Sequence, residues 1–336
     1  MKVIELQTSF GIDSLQVTER SAPQPGPGQV LLRVRACSLN YRDLLVVKGL
    51  YTPKLKLPMV PLSDGAGEIA AIGPGVTRVQ VGDRVAGIFM QQWLAGEPTE
   101  AKAKSSLGGG GIGMLAEYVV LSEEGVVRVP AHLSDEEAAT LPCAAVTAWH
   151  ALVSEGGVKA GDTVLTQGTG GVSLFAVQFA RLLGARVIAT SGNDDKLARV
   201  LKLGASDGIN YKTTPEWEDK VRELTGGVGV DHIVEVGGAG TLGKSLKAVR
   251  MGGCISLIGV LSGGGQINPT PILMKNVRVQ GIYVGSRDMF EAMNRAIALH
   301  QLRPVVDRVF PFSEIREALR YLESQGHFGK IVLRLA

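Results

Sequence analysis

Gly168-Thr169-Gly170-Gly171-Val172-Ser173 is the stretch of this 336-residue chain whose residue types and spacing most directly imply chemistry. It follows a short apolar run, Thr163 to Thr166, and opens an amphipathic helix, the required place for a turn that cradles a pyrophosphate. Gly168 permits the sharp bend and Gly170 lets the backbone approach the phosphates. Val172 begins the helix, and the small Ser173 stands where a third glycine would let helix and strand pack closely. The helix N-terminal amides then face the anion. These positions, Gly168, Thr169, Gly170, Gly171 and Val172, are the expected dinucleotide site. The second apolar run of the segment ends in Thr190-Ser191-Gly192-Asn193. An acid there would grip both ribose hydroxyls and repel a 2′-phosphate. The acid is absent, and Ser191, Lys196 and Tyr211 are placed to surround a phosphate, so NADP(H) is the expected cofactor, with NAD(H) the alternative.

A second glycine-rich stretch, Gly238-Ala239-Gly240-Thr241-Leu242-Gly243-Lys244-Ser245, fits the phosphate-binding loop of nucleotide triphosphatases. It lies in the fourth unit of an alternating segment whose first unit already carries the dinucleotide turn. No later strand ends in an evident magnesium-binding Asp, so a packing role is expected.

The elements that must hold these residues alternate regularly. Strand-like runs at Thr163 to Thr166, Ala185 to Thr190, Val230 to Val236 and Cys254 to Ile258 are separated by helices at Val172 to Leu183, Asp194 to Leu203, Glu216 to Leu224 and Thr241 to Val249. A short strand also ends at Asn210. Such alternation predicts a doubly wound parallel sheet of Rossmann type. Residues 1–125 read instead as mostly β, with strands at Val30 to Arg35, between the turns at Gly65 and Gly75, and at Val79 to Val85, this last entered by a turn. The polar stretch from Gln91 to Gly113, with Gly108 to Gly111 consecutive, reads as a mobile loop. Ser134 with Glu137 three residues on forms a capping box. After an apolar run, Val277 to Val284, come helices at Arg287 to His300 and Ser313 to Leu322 and a last strand at Lys330 to Leu335.

Composition narrows the class. Hydrophobic residues make up 45% of the chain, enough for a core, and the net charge of +3 comes from scattered Lys and Arg, so no nucleic-acid footprint is indicated. The three cysteines, Cys37, Cys143 and Cys254, form no CxxC pair, which argues against a disulfide framework or a zinc knuckle. A glutamate at position 5 interrupts any leader-like N-terminus, and no apolar run approaches the roughly 18 residues of a spanning helix. A cytoplasmic protein without a membrane partner is the default expectation.

Several further stretches occur in a telling order: Leu39-Asn40-Tyr41-Arg42-Asp43, Pro61-Leu62-Ser63-Asp64-Gly65-Ala66-Gly67, Val81-Gly82-Asp83-Arg84-Val85, Ala139 to Trp149 (Ala-Thr-Leu-Pro-Cys-Ala-Ala-Val-Thr-Ala-Trp), the 168–173 turn and Gly229-Val230-Asp231. With these the chain resembles the medium-chain dehydrogenase/reductases, specifically their zinc-free, quinone-oxidoreductase-like branch, over nearly its whole length. The resemblance implies an α/β protein in which a GroES-like, partly open β-barrel catalytic domain, residues 1–130 plus 285–336, carries an inserted Rossmann domain, residues 131–284. Zinc-bearing members of the family hold catalytic zinc with Cys, His and Cys. Those positions match Asn40, Ser63 and Cys143 here, with Asp64 in place of the glutamate after the His. Asn and Ser are poor zinc ligands, so no metal is expected, and Cys143 reads as a small residue near the cleft. The family's four-cysteine lobe is also missing, since the 91–113 loop has no Cys.

Without zinc, something else must stabilise charge on the carbonyl oxygen as hydride arrives. The cleft-lining positions that the resemblance implies are Asn40, Tyr41, Tyr51 and Thr147, with Asn40 offering its amide to the substrate or to the nicotinamide ribose, Asp43 orienting the Asn40 turn and Thr147 near the nicotinamide. Gly259, Val260, Ile282 and Tyr283 should lie under the nicotinamide. Quinones and α,β-unsaturated carbonyls delocalise incoming charge and need the least help, so their reduction is the expected reaction. A secondary alcohol or ketone dehydrogenase is the alternative enzyme, and a low-turnover NADPH-binding structural or regulatory protein the alternative outside enzymes. The Val277 to Val284 run, apolar and near a sheet edge, wants pairing, and a homodimer is expected.

Overall fold

The two kinds of apolar run form two kinds of sheet. The computed structural model describes residues 1–51, 55–259 and 261–335 of the chain, which divides into two compact units, Met1–Val146 with Gly285–Ala336, and Thr147–Val284. The strands in chain order are β1 (Lys2–Leu6), β2 (Leu15–Glu19), β3 (Gln29–Ser38), β4 (Asp64–Ile72), β5 (Arg84–Gly87), β6 (Tyr118–Ser122) and β7 (Val126–Arg128) in the first unit. In the second they are β8 (Thr163–Gln167), β9 (Arg186–Ser191), β10 (Asp207–Asn210), β11 (Val230–Glu235), β12 (Val249–Leu257) and β13 (Arg278–Gly281). The chain then returns to the first unit with β14 (Val306–Pro311) and β15 (Lys330–Arg334).

The first unit is built on a curved sheet of order β14-β15-β3-β4-β5-β7, with β6 paired antiparallel to the first half of β3, Gln29 to Arg33. Alternate side chains of its strands, among them Val30, Leu32, Val34, Ile69, Val85, Leu121, Ile331 and Leu333, share one buried core. This is the GroES-like architecture. Residue 67 must be glycine for β3 and β4 to pair: a Cβ there would lie 1.9 Å from the Arg33 carbonyl oxygen. The C-terminal strand is part of this unit because β15 pairs antiparallel with β3, Val332 opposite Ser38 and Arg334 opposite Ala36.

Three sequence expectations need correction here. The first unit extends to Val146, not to residue 130. The capped helix at Asp135–Ala139 packs on β3 and β4, Arg84 bonds the Asp135 carboxylate and the Leu133 carbonyl, and the Cys143 N–H reaches Asp64. A capping box marks where a helix starts but says nothing about the sheet it packs on. The Val79 to Val85 run, expected as a strand entered by a turn, is mostly the turn: Asp83 accepts a hydrogen bond from the Gln80 N–H, Gly82 takes φ +90°, and β5 begins only at Arg84. The 91–113 stretch is a loop, but a folded one: Trp93 is buried with its indole N–H on the Gly96 carbonyl, and Met90 pairs with Ser106.

The second unit is a parallel sheet of order β10-β9-β8-β11-β12-β13. Its central strands are apolar on both faces, as a sheet covered by helices requires, and Leu165, Ile188, Ile233 and Ile255 form its core. The order reverses direction between β8 and β11, the switch point at whose carboxyl ends ligands of doubly wound sheets bind.

Candidate active site

The dinucleotide turn sits at that switch point. Gly168 follows β8 directly, takes φ +70° and donates its N–H to the Thr190 carbonyl at 2.8 Å. A side chain at Gly168 or Gly170 would meet nothing within 4 Å, so both open onto free space. Gly170 is the N-cap of the helix Gly171–Leu182, whose first turn carries Gly171, Val172 and Ser173, while Thr169 is buried at the bend. Ser173 does more than leave room: its hydroxyl donates to the Gln167 carbonyl at 2.6 Å and ties the helix to the end of β8.

Ser191 ends β9, and its hydroxyl accepts the Asn193 N–H. Asn193 caps the helix Asp194–Leu203 by accepting the Lys196 N–H, which places Lys196 in the first turn beside it. Tyr211 stands against the same corner. A Cβ at Gly192 would lie 2.7 Å from the Tyr211 hydroxyl and 3.0 Å from Cε of Lys212. Ser191, Lys196 and Tyr211 thus come from two adjacent strand ends. Lys212 is part of the same corner and escaped the sequence reading; a lysine one residue past the tyrosine was the available signal.

At the far side of the switch point, Gly259 packs so tightly that a Cβ would lie 2.1 Å from the Val236 carbonyl oxygen. Ile282 is buried and donates its N–H to the Leu257 carbonyl, and Tyr283 beside it is 42% exposed. Val260 lies outside the described residues. Thr147 is buried in the helical turn that opens the second unit.

The triphosphatase-like stretch is occupied by the protein itself. Lys244 reaches the Pro215 carbonyl and lies 3.5 Å from the Glu218 carboxylate, and the Ser245 hydroxyl donates to Glu235 at 2.5 Å. Glu235, fully buried at the end of β11, also accepts from the Thr241 hydroxyl, the N–H groups of Gly237 and Gly238, and Nε2 of Gln167 at 2.7 Å. The glycines, threonine and serine of this stretch therefore seat a buried carboxylate. Through Gln167 that carboxylate braces the strand end from which the dinucleotide turn springs.

The first unit holds the remaining chemistry. Asn40 follows the loop after β3 and caps the helix Tyr41–Val47, its N–H donating to Asp43 Oδ2 at 2.8 Å, so Asp43 does orient this turn. Burial pushes the Asp43 carboxyl up to about 6, with Arg42 pulling the other way. Asn40 Oδ1 accepts from Nζ of Lys330 at 2.6 Å, and its amide nitrogen lies 3.4 Å from the Ser63 hydroxyl. Ser63 donates to Asp64 Oδ1 at 2.8 Å, and Asp64 Oδ2 accepts the Cys143 N–H at 3.2 Å. Burial raises the Asp64 carboxyl, the Lys330 ammonium opposing it. The Cys143 thiol is raised by burial first and by Asp64 second, which keeps it protonated at neutral pH.

Tyr41 projects from the first turn of that helix and is 37% exposed. Tyr51 lies with its ring 4.8 Å from the Arg42 guanidinium, which on its other side faces the Phe89 ring at 4.7 Å and donates to the Leu107 carbonyl. The structure thus brings Asn40, Ser63, Asp64 and Cys143 into one hydrogen-bonded cluster. Lys330 was missed, although a lysine opening an apolar strand is an unusual residue to bury.

Two of the three positions offer zinc poor ligands: the amide oxygen of Asn40, at the first, is held by the Lys330 ammonium, and the Ser63 hydroxyl, at the second, donates to Asp64. Among the described residues no group of three or more His, Cys, Asp or Glu is arranged to hold a metal, and no helix is long and apolar enough to cross a membrane.

Comparison with known proteins agrees with this architecture. Residues 26–131 match the alcohol dehydrogenase GroES-like domain, and residues 171–298 match the family described as zinc-binding dehydrogenase. A zinc-type alcohol dehydrogenase-like protein of Schizosaccharomyces pombe is 47% identical over 333 residues, covering 97% of this chain and 96% of the relative. Human quinone oxidoreductase is 30% identical over 323 residues, covering 94% and 92%. A mycobacterial protein solved as its NADPH complex superposes with a TM-score of 0.84 at 28% identity, both chains being covered in full.

Proposed function

Because the chain belongs to the medium-chain dehydrogenase/reductase superfamily, we propose that it is a zinc-independent, NADPH-dependent reductase of quinones or α,β-unsaturated carbonyls. One observation carries this reading. At the positions where zinc-bearing relatives would place metal ligands, the chain has a closed hydrogen-bond chain that begins on an ammonium, Lys330–Asn40–Ser63–Asp64. A site that meets its substrate with an amide rather than a divalent cation favours substrates that spread the incoming charge over a conjugated system. The name of the human relative supports that class; the name of the yeast relative supports the alternative, a secondary alcohol or ketone dehydrogenase.

NADPH supplies the hydride when bound. The Gly168–Val172 turn would hold its pyrophosphate, Ser191, Lys196, Tyr211 and Lys212 its 2′-phosphate, and backbone groups of Gly259, Ile282 and Tyr283 the nicotinamide end. Asn40 would donate its amide N–H to the substrate oxygen, and Tyr41, Tyr51 and Thr147 would shape its surroundings. The NADPH complex of the mycobacterial relative supports the cofactor assignment. Strand β13 lies at the edge of the parallel sheet, which supports a homodimer extended across it; a monomer mass at micromolar concentration would remove that part.

The test is one purification and one panel. Elemental analysis is expected to find zinc well below one per chain, and initial rates with NADPH to favour enones and quinones over simple ketones. Stoichiometric zinc, or a preference for secondary alcohols with NAD, would overturn the reading.

A further inference from the structure

We propose that Lys330 is a positioning residue of the reductase site, acting through Asn40 to present a fixed and polarised amide donor to the substrate. The inference rests on the reading of Asn40 as the group that meets the substrate oxygen.

The argument begins with which atoms can donate. An ammonium has three donors and no acceptor, so the Asn40 atom 2.6 Å from Nζ of Lys330 must be the amide oxygen. That choice fixes the other end of the side chain as the NH2 group. The Ser63 hydroxyl donates its O–H to Asp64, which leaves the Ser63 oxygen to accept from Asn40. Every proton in the chain then points one way, from a buried cation through an amide and a hydroxyl to a buried carboxylate. Reversing the amide would set two donors, Nδ2 and Nζ, against each other. Asn40 therefore has one usable orientation, its NH2 group turned to the Ser63 hydroxyl at 3.4 Å and to the Asp64 carboxylate beside it, and a substrate oxygen would compete with these two buried partners for its N–H groups.

Burial makes the arrangement consequential. Lys330 is 3% exposed and Ser63 and Asp64 are fully buried, whereas Asn40 is only partly buried. Among these four, Asn40 is the group a ligand can reach, and the charges behind it are not. An ammonium bound to the amide oxygen draws electron density from the nitrogen and strengthens its N–H as a donor, an effect larger away from water. The cation is held in place by the fold. Lys330 opens β15, Leu39 donates its N–H to the Ile331 carbonyl at 3.0 Å, and Nζ also donates to the Leu39 carbonyl at 2.6 Å. A charge delivered from the last strand to the end of β3 thus replaces, as a fixed positive field, what a metal would supply.

A double-mutant cycle tests this with Lys330→Met, Asn40→Ala and the pair, measured with NADPH and an enone the wild-type protein reduces. Loss of one preorganised donor typically costs 10²–10³-fold in kcat, so Lys330→Met, which weakens the donor without deleting it, is expected to lower kcat by about 10–100-fold. The Kd for NADPH, read by fluorescence, is expected to stay within about twofold. In the Asn40→Ala background the same change is expected to cost less than about threefold. Equal losses in both backgrounds, or a fall in NADPH affinity matching the fall in kcat, would overturn the proposal. Should Lys330→Met not fold, the cycle is run with Lys330→Arg, which keeps the charge and alters its geometry; its effect on kcat must likewise vanish without Asn40. Wild-type protein inactive on every enone and quinone would instead sink the functional reading, whatever Lys330 does.

Discussion

Removing the Glu235 carboxylate should destabilise the second unit and loosen the cofactor turn together. Glu235 has no exposed surface and accepts five hydrogen bonds, from Gln167, Gly237, Gly238, Thr241 and Ser245. In Glu235→Ala three of these donors keep a contact. Gln167 Nε2 retains its second N–H on the Ser245 oxygen at 2.9 Å, the Thr241 hydroxyl can turn to the Gly238 carbonyl at 3.4 Å, and the part-buried Gly237 N–H keeps a long 3.4 Å contact to Gln167 Oε1. The Gly238 N–H and the Ser245 O–H, which only accepts in its contact with Gln167, keep none. Two orphaned buried donors at about 1–3 kcal/mol each, less the recovered cost of burying the carboxylate, give a net loss of roughly 2–4 kcal/mol. Urea unfolding of the whole chain, followed by hydrogen exchange at 237–238 to locate the change, measures it. Because Gln167 immediately precedes Gly168, NADPH binding is expected to weaken by about 3–30-fold in parallel, the equivalent of roughly 1–2 kcal/mol. A stability loss below about 1 kcal/mol with unchanged exchange at Gly237 and Gly238 would refute the claim that the glycine-rich stretch exists to seat this carboxylate.

Three further outcomes follow from single contacts. Tyr211→Phe and Lys212→Ala should each raise the KM for NADPH by about 10-fold, the loss of one charge-assisted bond, and leave that for NADH unchanged; an equal effect on both cofactors would remove the 2′-phosphate assignment. Gly67→Ala should cost more than about 3 kcal/mol, because its Cβ would be driven to within 1.9 Å of the Arg33 carbonyl oxygen, and failure to lower the melting temperature would mean that β3 and β4 yield there. Asp43 carries a pH signature: burial raises its carboxyl to about 6, so the folded chain binds its proton more tightly than the unfolded one. Its stabilising contribution is complete below the unfolded value near 4 and is lost as pH rises through 6. The stability of the wild type relative to Asp43→Asn should thus fall by about 2 kcal/mol between pH 4 and pH 7, read by urea unfolding. A pH-independent difference would contradict the burial argument.

What was legible in the sequence is what short segments determine. The 168–173 turn, the helix at Asp194–Leu203 with its closing Gly204, and the capping box at Ser134 each depend on a few adjacent residues, and each stands where local chemistry puts it. The misread features depend on distant partners. Val79 and Val81 alternate as a strand would, but the Asp83 side chain and Gly82 close a turn there. The 131–146 segment has the signals of a helix and was assigned to the wrong unit, since only its packing on β3 and β4 says where it belongs.

The same division runs through the site. The glycines of the cofactor turn announce themselves, whereas the residues that brace the site are single charges opening or ending apolar strands, Lys330 on β15 and Glu235 on β11, each bonded to residues far away in the chain. A charge in such a position is costly unless partners await it. Its presence in an otherwise apolar run therefore implies those partners, even though the sequence does not say who they are. In this chain both such charges lead to the two places where the proposed chemistry needs rigidity: the strand end before the phosphate turn, and the amide that meets the substrate. The family's metal position and its phosphate turn are thus braced by the same device, a buried charge whose hydrogen bonds fix a side-chain amide, Asn40 in one case and Gln167 in the other.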